Sequence, residues 1–132
     1  MKQLNRKQAL RLFGAVTALL AGGALMADSH NHTSSMFQGP KANTGTVMHS
    51  TEGGKSVLRV SSDFKVPDTP APTWRIVDSK GTIYTLDAFK VKSGEKREVT
   101  VPAYIQNIAK VQVWCAFAEV LLGEANFSSP VK

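Results

Sequence analysis

This chain of 132 residues has a single cysteine, Cys115, so no disulfide can form within it. A covalent c-type haem is excluded as well, because its attachment needs Cys-x-x-Cys-His. No Gly-x-Ser-x-Gly elbow and no phosphate-binding glycine loop occur, which leaves serine-hydrolase and nucleotide chemistry without their usual sequence support. Long apolar runs are scarce too. The longest, Leu12 to Ala27, is 16 residues and is interrupted only by small residues and Thr17. That is short of the roughly 20 residues a bilayer-spanning helix requires.

The apolar run reads instead as the middle of a secretory signal. Lys2, Arg6, Lys7 and Arg11 form a basic start without an acid, and the run ends in the small-residue stretch Ala21-Gly22-Gly23-Ala24-Leu25-Met26-Ala27. That order predicts a cleavable signal peptide over residues 1–27 and a periplasmic or extracellular protein with no membrane span after cleavage. The start Asn5-Arg6-Lys7-Gln8 resembles a twin-arginine signal, but Lys7 stands where the second Arg belongs, which favours the general secretory route.

The leader also accounts for much of the basic charge. The whole chain has 16 basic and 10 acidic side chains, and four of the basic ones lie in residues 1–27. The remainder is close to balanced, so no nucleic-acid partner is expected. Roughly 105 residues remain, enough for one domain with its own core.

Residues 28–36 are polar and predict a flexible tail, with Phe37 as the first core residue of a domain over 37–128. Short strands follow. Thr44–Ser50 and Ser56–Val60 flank a Gly53-Gly54 hairpin signal. Pro67, Pro70 and Pro72 remove backbone donors and predict a rigid loop. Trp74–Val77 and Thr82–Leu86 flank the turn Asp78-Ser79-Lys80-Gly81. Glu98–Val101 is another strand, Pro102–Ile108 holds one helical turn, and Val111–Ala118 is the most apolar, central strand. Ser128–Lys132 is read as a tail. Turn signals every ten residues or so, and no long amphipathic helix, predict an all-β fold: an antiparallel β-sandwich.

The motif Val113-Trp114-Cys115-Ala116-Phe117, followed by Leu122-Gly123-Glu124-Ala125-Asn126-Phe127, resembles the end of the DM-thirteen domain of Skeletor-type and bacterial exported proteins. Gly45-Thr46-Val47, Val57-Leu58, Asp63-Phe64 and Pro70-Ala71-Pro72 extend the likeness, which covers about Phe37 to Phe127. The resemblance implies a β-sandwich with a role in electron transfer. Its cysteine, here Cys115, would be a redox thiol or a ligand to a prosthetic group such as a b-type haem. Where the family often has Gly-His ahead of its first strand, this chain has Gly39-Pro40-Lys41-Ala42.

Read from the residues alone, Cys115 alternates with Val111, Val113 and Phe117 and so belongs on a core face, where cysteine commonly behaves as a small hydrophobe. A reactive thiol needs help to ionise. Lys110 is the nearest cation in sequence, and Glu119 would oppose ionisation if the strand reached it. For an axial haem ligand the candidates are Cys115 alone, or Cys115 with Met48 or His49, on residue type only. The bland alternative has Met48 in the core and His49 on the surface. A blue-copper set has its residue types in Cys115, His30, His32, His49, Met48 and Met36, but no His follows the cysteine. If cleavage follows Ala27, the new amine of Asp28, two amides and His30, with His32 assisting, supply nitrogens suited to Cu(II) or Ni(II). Asp63, Asp68, Asp78, Glu119 and Glu124 are carboxylates that could pair in space, and Trp74, Tyr84, Trp114 and Phe117 are aromatics for a core or a ligand surface. The functional expectation is a small exported redox domain acting through Cys115 with a redox partner or envelope protein. The alternative is a non-catalytic binding or structural module with a buried core cysteine.

Overall fold

A computed structural model describes Asn31–Lys132. Residues 1–30, which hold the expected signal peptide and the start of the expected tail, lie outside the described residues. The described chain forms ten strands: β1 (His32–Thr33), β2 (Val47–Glu52), β3 (Lys55–Val60), β4 (Pro72–Val77), β5 (Ile83–Ala88), β6 (Lys90–Val91), β7 (Gly94–Glu95), β8 (Glu98–Thr100), β9 (Ile108–Cys115) and β10 (Val120–Val131). Two four-stranded antiparallel sheets, ordered β8-β3-β2-β1 and β10-β9-β4-β5, make an all-β sandwich, with β6-β7 as a separate ribbon. No helix among the described residues is long and apolar enough to cross a membrane.

Local chemistry explains the turns. Gly53 and Gly54 both have positive φ, 58° and 78°, and Glu52 pairs with Lys55 across them. Two successive left-handed residues make the turn whose twist matches that of the flanking strands. After β4, the Asp78 carboxylate accepts from the main-chain N–H of Lys80 and of Thr82, both at 2.9 Å, and closes the next hairpin. The 102–105 turn is a single i to i+3 bond, Ile105 N–H to the Pro102 carbonyl at 3.0 Å. Pro72 opens β4, a position where a missing N–H breaks no ladder.

The core lies between the sheets. Val47, Leu58, Val99, Ile76, Val111, Val113 and Leu122 face it, each from alternate positions of its strand. A chain of rings runs through it. Phe37 lies 4.9 Å from Phe64 between centroids, Phe64 5.4 Å from Phe89, and Phe89 is stacked on Trp74 at 4.5 Å. Trp74 Nε1 donates to the Lys96 carbonyl at 2.9 Å, so the buried indole has no orphan donor.

The rigid loop predicted through Pro72 ends before it, because Pro72 is already the first residue of β4, and three further sequence expectations change. His32 and Thr33 are not part of a loose tail: they pair with His49 and Met48, and Ser34 donates its N–H to the Val47 carbonyl. Ser128–Lys132 is not a tail, because β10 runs to Val131, which is buried and paired with Ile108. The central strand stops at Cys115 rather than Ala118, so Phe117 leaves the core and is 77% exposed.

From β1 the chain crosses to the other sheet. Ser35 N–H bonds the Asn126 carbonyl, Gln38 bridges Glu124, and the N–H groups of Lys41 and Ala42 share the Leu122 carbonyl. This close crossing requires Gly123. A Cβ there would strike the carbonyl oxygen of Ala42 and lie 2.7 Å from its Cβ. Gly123→Ala should therefore cost about 2–3 kcal/mol through overpacking against backbone. The expected reading is a lowered urea midpoint with unchanged slope, while Leu121→Ala, two residues away and 38% exposed, moves the midpoint far less.

Candidate thiol site

Cys115 ends β9, paired with Pro72 of β4 on one side and Val120 of β10 on the other. It is 1% exposed. The sulfur sits beneath the turn 116–119, whose residues are all exposed. That turn is anchored at both ends. Ala116 N–H donates to the Ala71 carbonyl at 2.9 Å, and Glu119 N–H to the Cys115 carbonyl at 2.7 Å. Glu119 has φ 58°, a left-handed conformation uncommon for a residue with a side chain.

The turn aims donors at the sulfur. Ala118 N–H lies 3.4 Å from Sγ. The main-chain N–H groups of Ala71 and Phe117 and the Thr69 hydroxyl also favour its thiolate form. The Thr69 Oγ1 is buried and makes no hydrogen bond among the described residues. These donors hold the thiol below its usual range, Ala118 contributing most, against burial, which pushes it up. Fixed N–H dipoles thus do the work the sequence sought from a cation. Glu119 belongs to the turn, not to the strand, and does not figure among the groups that shift the sulfur.

The other candidate ligands lie elsewhere. Met48 and His49 belong to β2 in the opposite sheet. Their exposures reverse the bland expectation: Met48 is 39% exposed on the outer face, and His49, two residues after inward Val47, is 2% exposed. Strand parity outranks polarity here. His49 Nε2 lies 2.6 Å from Ser56 Oγ, and its ring is 5.7 Å from that of His32. Cys115, Met48 and His49 therefore do not converge as axial ligands of one haem. Met36 is exposed at 56%, and His30 lies outside the described residues. Among the described residues no three His, Cys, Asp or Glu side chains come close enough to hold a metal.

Four of the carboxylates are engaged with other groups: Asp78 accepts from Tyr84 at 3.1 Å, Asp63 accepts from Ser61, Asp68 meets Lys90 at 3.8 Å, and Glu124 meets Lys110 at 3.5 Å and Gln112 at 2.9 Å. Of the aromatics, Trp74 is core, while half-buried Trp114 supports the Arg75 guanidinium 3.7 Å above its ring. Sequence reasoning missed Thr69, Ala71 and Ala118. The threonine ahead of Pro70 was the one readable signal, since a loop of fixed φ holds its neighbours rigidly.

The chain matches no protein-family model, no curated protein and no solved structure.

Two measurements check this geometry. Thr69→Val removes a hydroxyl that favours the thiolate, so the Cys115 titration followed by thiolate absorbance near 240 nm should move upward. His49 is held below the usual 6.5, first by burial and then by the charge of His32. The folded state thus binds a proton here less readily than the unfolded chain, and stability is lost as pH falls below about 6.5. Urea midpoints at pH 7.5 and pH 5 should show that loss, and His49→Gln should flatten it.

Proposed function

We propose that this chain is an exported redox domain in which Cys115 is the working thiol, in line with the DM-thirteen resemblance. The carrying observation is the Ala118 N–H 3.4 Å from the buried sulfur, with the Ala71 and Phe117 N–H groups and the Thr69 hydroxyl also favouring the thiolate. Nothing in a purely apolar packing role requires a main-chain N–H aimed at that sulfur. The arrangement favours the thiolate, the nucleophilic form.

With one cysteine, the chemistry must be completed by a partner. The Cys115 thiolate attacks a partner disulfide, a sulfur–sulfur bond forms as the partner's own breaks, and one partner sulfur leaves as thiolate. A thiol of a second partner molecule then attacks the first partner's sulfur in the mixed disulfide, so the Cys115 thiolate leaves and the disulfide now joins the two partners. Access comes from displacement of the exposed 116–119 turn. Around it, Phe117, Val120 and Leu121 give the partner an apolar contact. The same complete burial of Cys115 favours the second reading, a binding or structural module whose cysteine is packing.

Thiol titration of the native protein with an aromatic disulfide reagent separates the two. The redox reading expects modification of folded protein well ahead of global unfolding, lost in Cys115→Ser. A thiol that reacts only as fast as the whole domain unfolds overturns it and leaves the structural module.

A further inference from the structure

We propose that Ser56 and His49 form a nucleophile–base pair that hydrolyses short acyl esters in the cleft at the Ile108 end of the sandwich, remote from Cys115. The cleft, about 470 Å³, is lined by Gly54, Ser56, Val101, Ala103, Ile105 and Lys132 among others. Ser56 is the half-buried hydroxyl in that wall, and its Oγ lies 2.6 Å from Nε2 of His49. Contact at this distance between a hydroxyl and an imidazole is the requirement for activating a serine.

The imidazole is placed as a base should be. It is 2% exposed, fixed between β1 and β3, with its ring against His32. Its Nδ1 is buried with no hydrogen-bond partner among the described residues. Burial and the neighbouring His32 charge favour the neutral ring, and the main chain of Lys132 works the other way. A neutral ring with the proton on Nδ1 leaves Nε2 as acceptor for the Ser56 hydroxyl. The cleft wall formed by Val101, Ala103 and Ile105 suits a short apolar acyl chain.

The step balances with water alone. Ser56 Oγ attacks the ester carbonyl and its proton passes to His49 Nε2. The bond to the alcohol breaks, and the alcohol leaves with that proton. Water, deprotonated by His49, then cleaves the acyl-serine and restores both groups.

The test is fluorophosphonate labelling of the full chain, with the adduct mapped by mass spectrometry, alongside hydrolysis of p-nitrophenyl acetate. In labelling, the Oγ–phosphorus bond forms, fluoride leaves and the proton goes to His49. Expected is modification at Ser56 about a hundredfold faster than at other serines. The rate should fall as acid protonates His49, and Ser56→Ala should abolish both labelling and ester hydrolysis. Ser61→Ala, whose hydroxyl bonds Asp63 and the Thr46 N–H, should behave as wild type. Because His49→Gln removes a core side chain and could unfold the domain, the pH profile of the unsubstituted protein is the independent arm. No Ser56 adduct on folded protein, or a Ser56 rate that does not fall as pH is lowered from 8 across the range where the domain stays folded, overturns the proposal. Cys115→Ser should label normally, which keeps this result separate from the redox reading.

Discussion

The row of rings Phe37, Phe64, Phe89 and Trp74 is the contact on which most of the sandwich depends. Only Trp74 belongs to a strand; the other three come from the segments before β2, after β3 and after β5. Those segments are the places where the chain changes sheet. Each fully buried ring contributes about 1.5–3 kcal/mol, and each favourable ring pair about 0.5–1.5 kcal/mol more. Arg97 closes the same region by donating to the Ser61 and Phe64 carbonyls at 2.8 and 2.9 Å. The crossovers are thereby packed as firmly as the strands, in a domain with no disulfide to hold them.

That packing positions both chemical features. The loop after Phe64 is carried to Thr69 and Ala71, which meet the sulfur at the end of β9. At the other end of the sandwich, the β2–β3 hairpin sets the His49 ring against Ser56 on the neighbouring strand. Strand pairing provides rigid placement at both ends, and turns provide the exposed edge through which a substrate or partner would approach.

The fold class was readable because its signals are local. Gly53-Gly54, Asp78 to Gly81 and the proline triplet each dictate backbone geometry within four to six residues, and the apolar alternation of β9 shows without any partner. The ends were harder to read. His32–Thr33 and Ser128–Val131 look polar enough for tails, yet both are held by main-chain bonds to strands distant in sequence. Main-chain bonding does not depend on side-chain polarity, so composition carried no sign of it. Phe117 misled for a related reason: alternation predicts burial only while a strand lasts, and this one ends at Cys115.

Cys115 stood out from the sequence as a lone, inward-facing thiol, and it lies in the core. What surrounds the sulfur was beyond sequence reach, because Thr69, Ala71 and Ala118 meet only when β4 and β9 pair and the turn at 116–119 closes. His49 shows the same division. Its position two residues after Val47 put it on one face of a strand, but only the pairing of β1, β2 and β3 made that face the interior and brought Ser56 to its ring. The sequence by itself determined strands, turns and a single cysteine, since these follow from backbone preference and residue count. Tertiary structure alone decided which polar groups face each other in a dry interior, since hydrogen bonding there is set by distance in space and not by order along the chain.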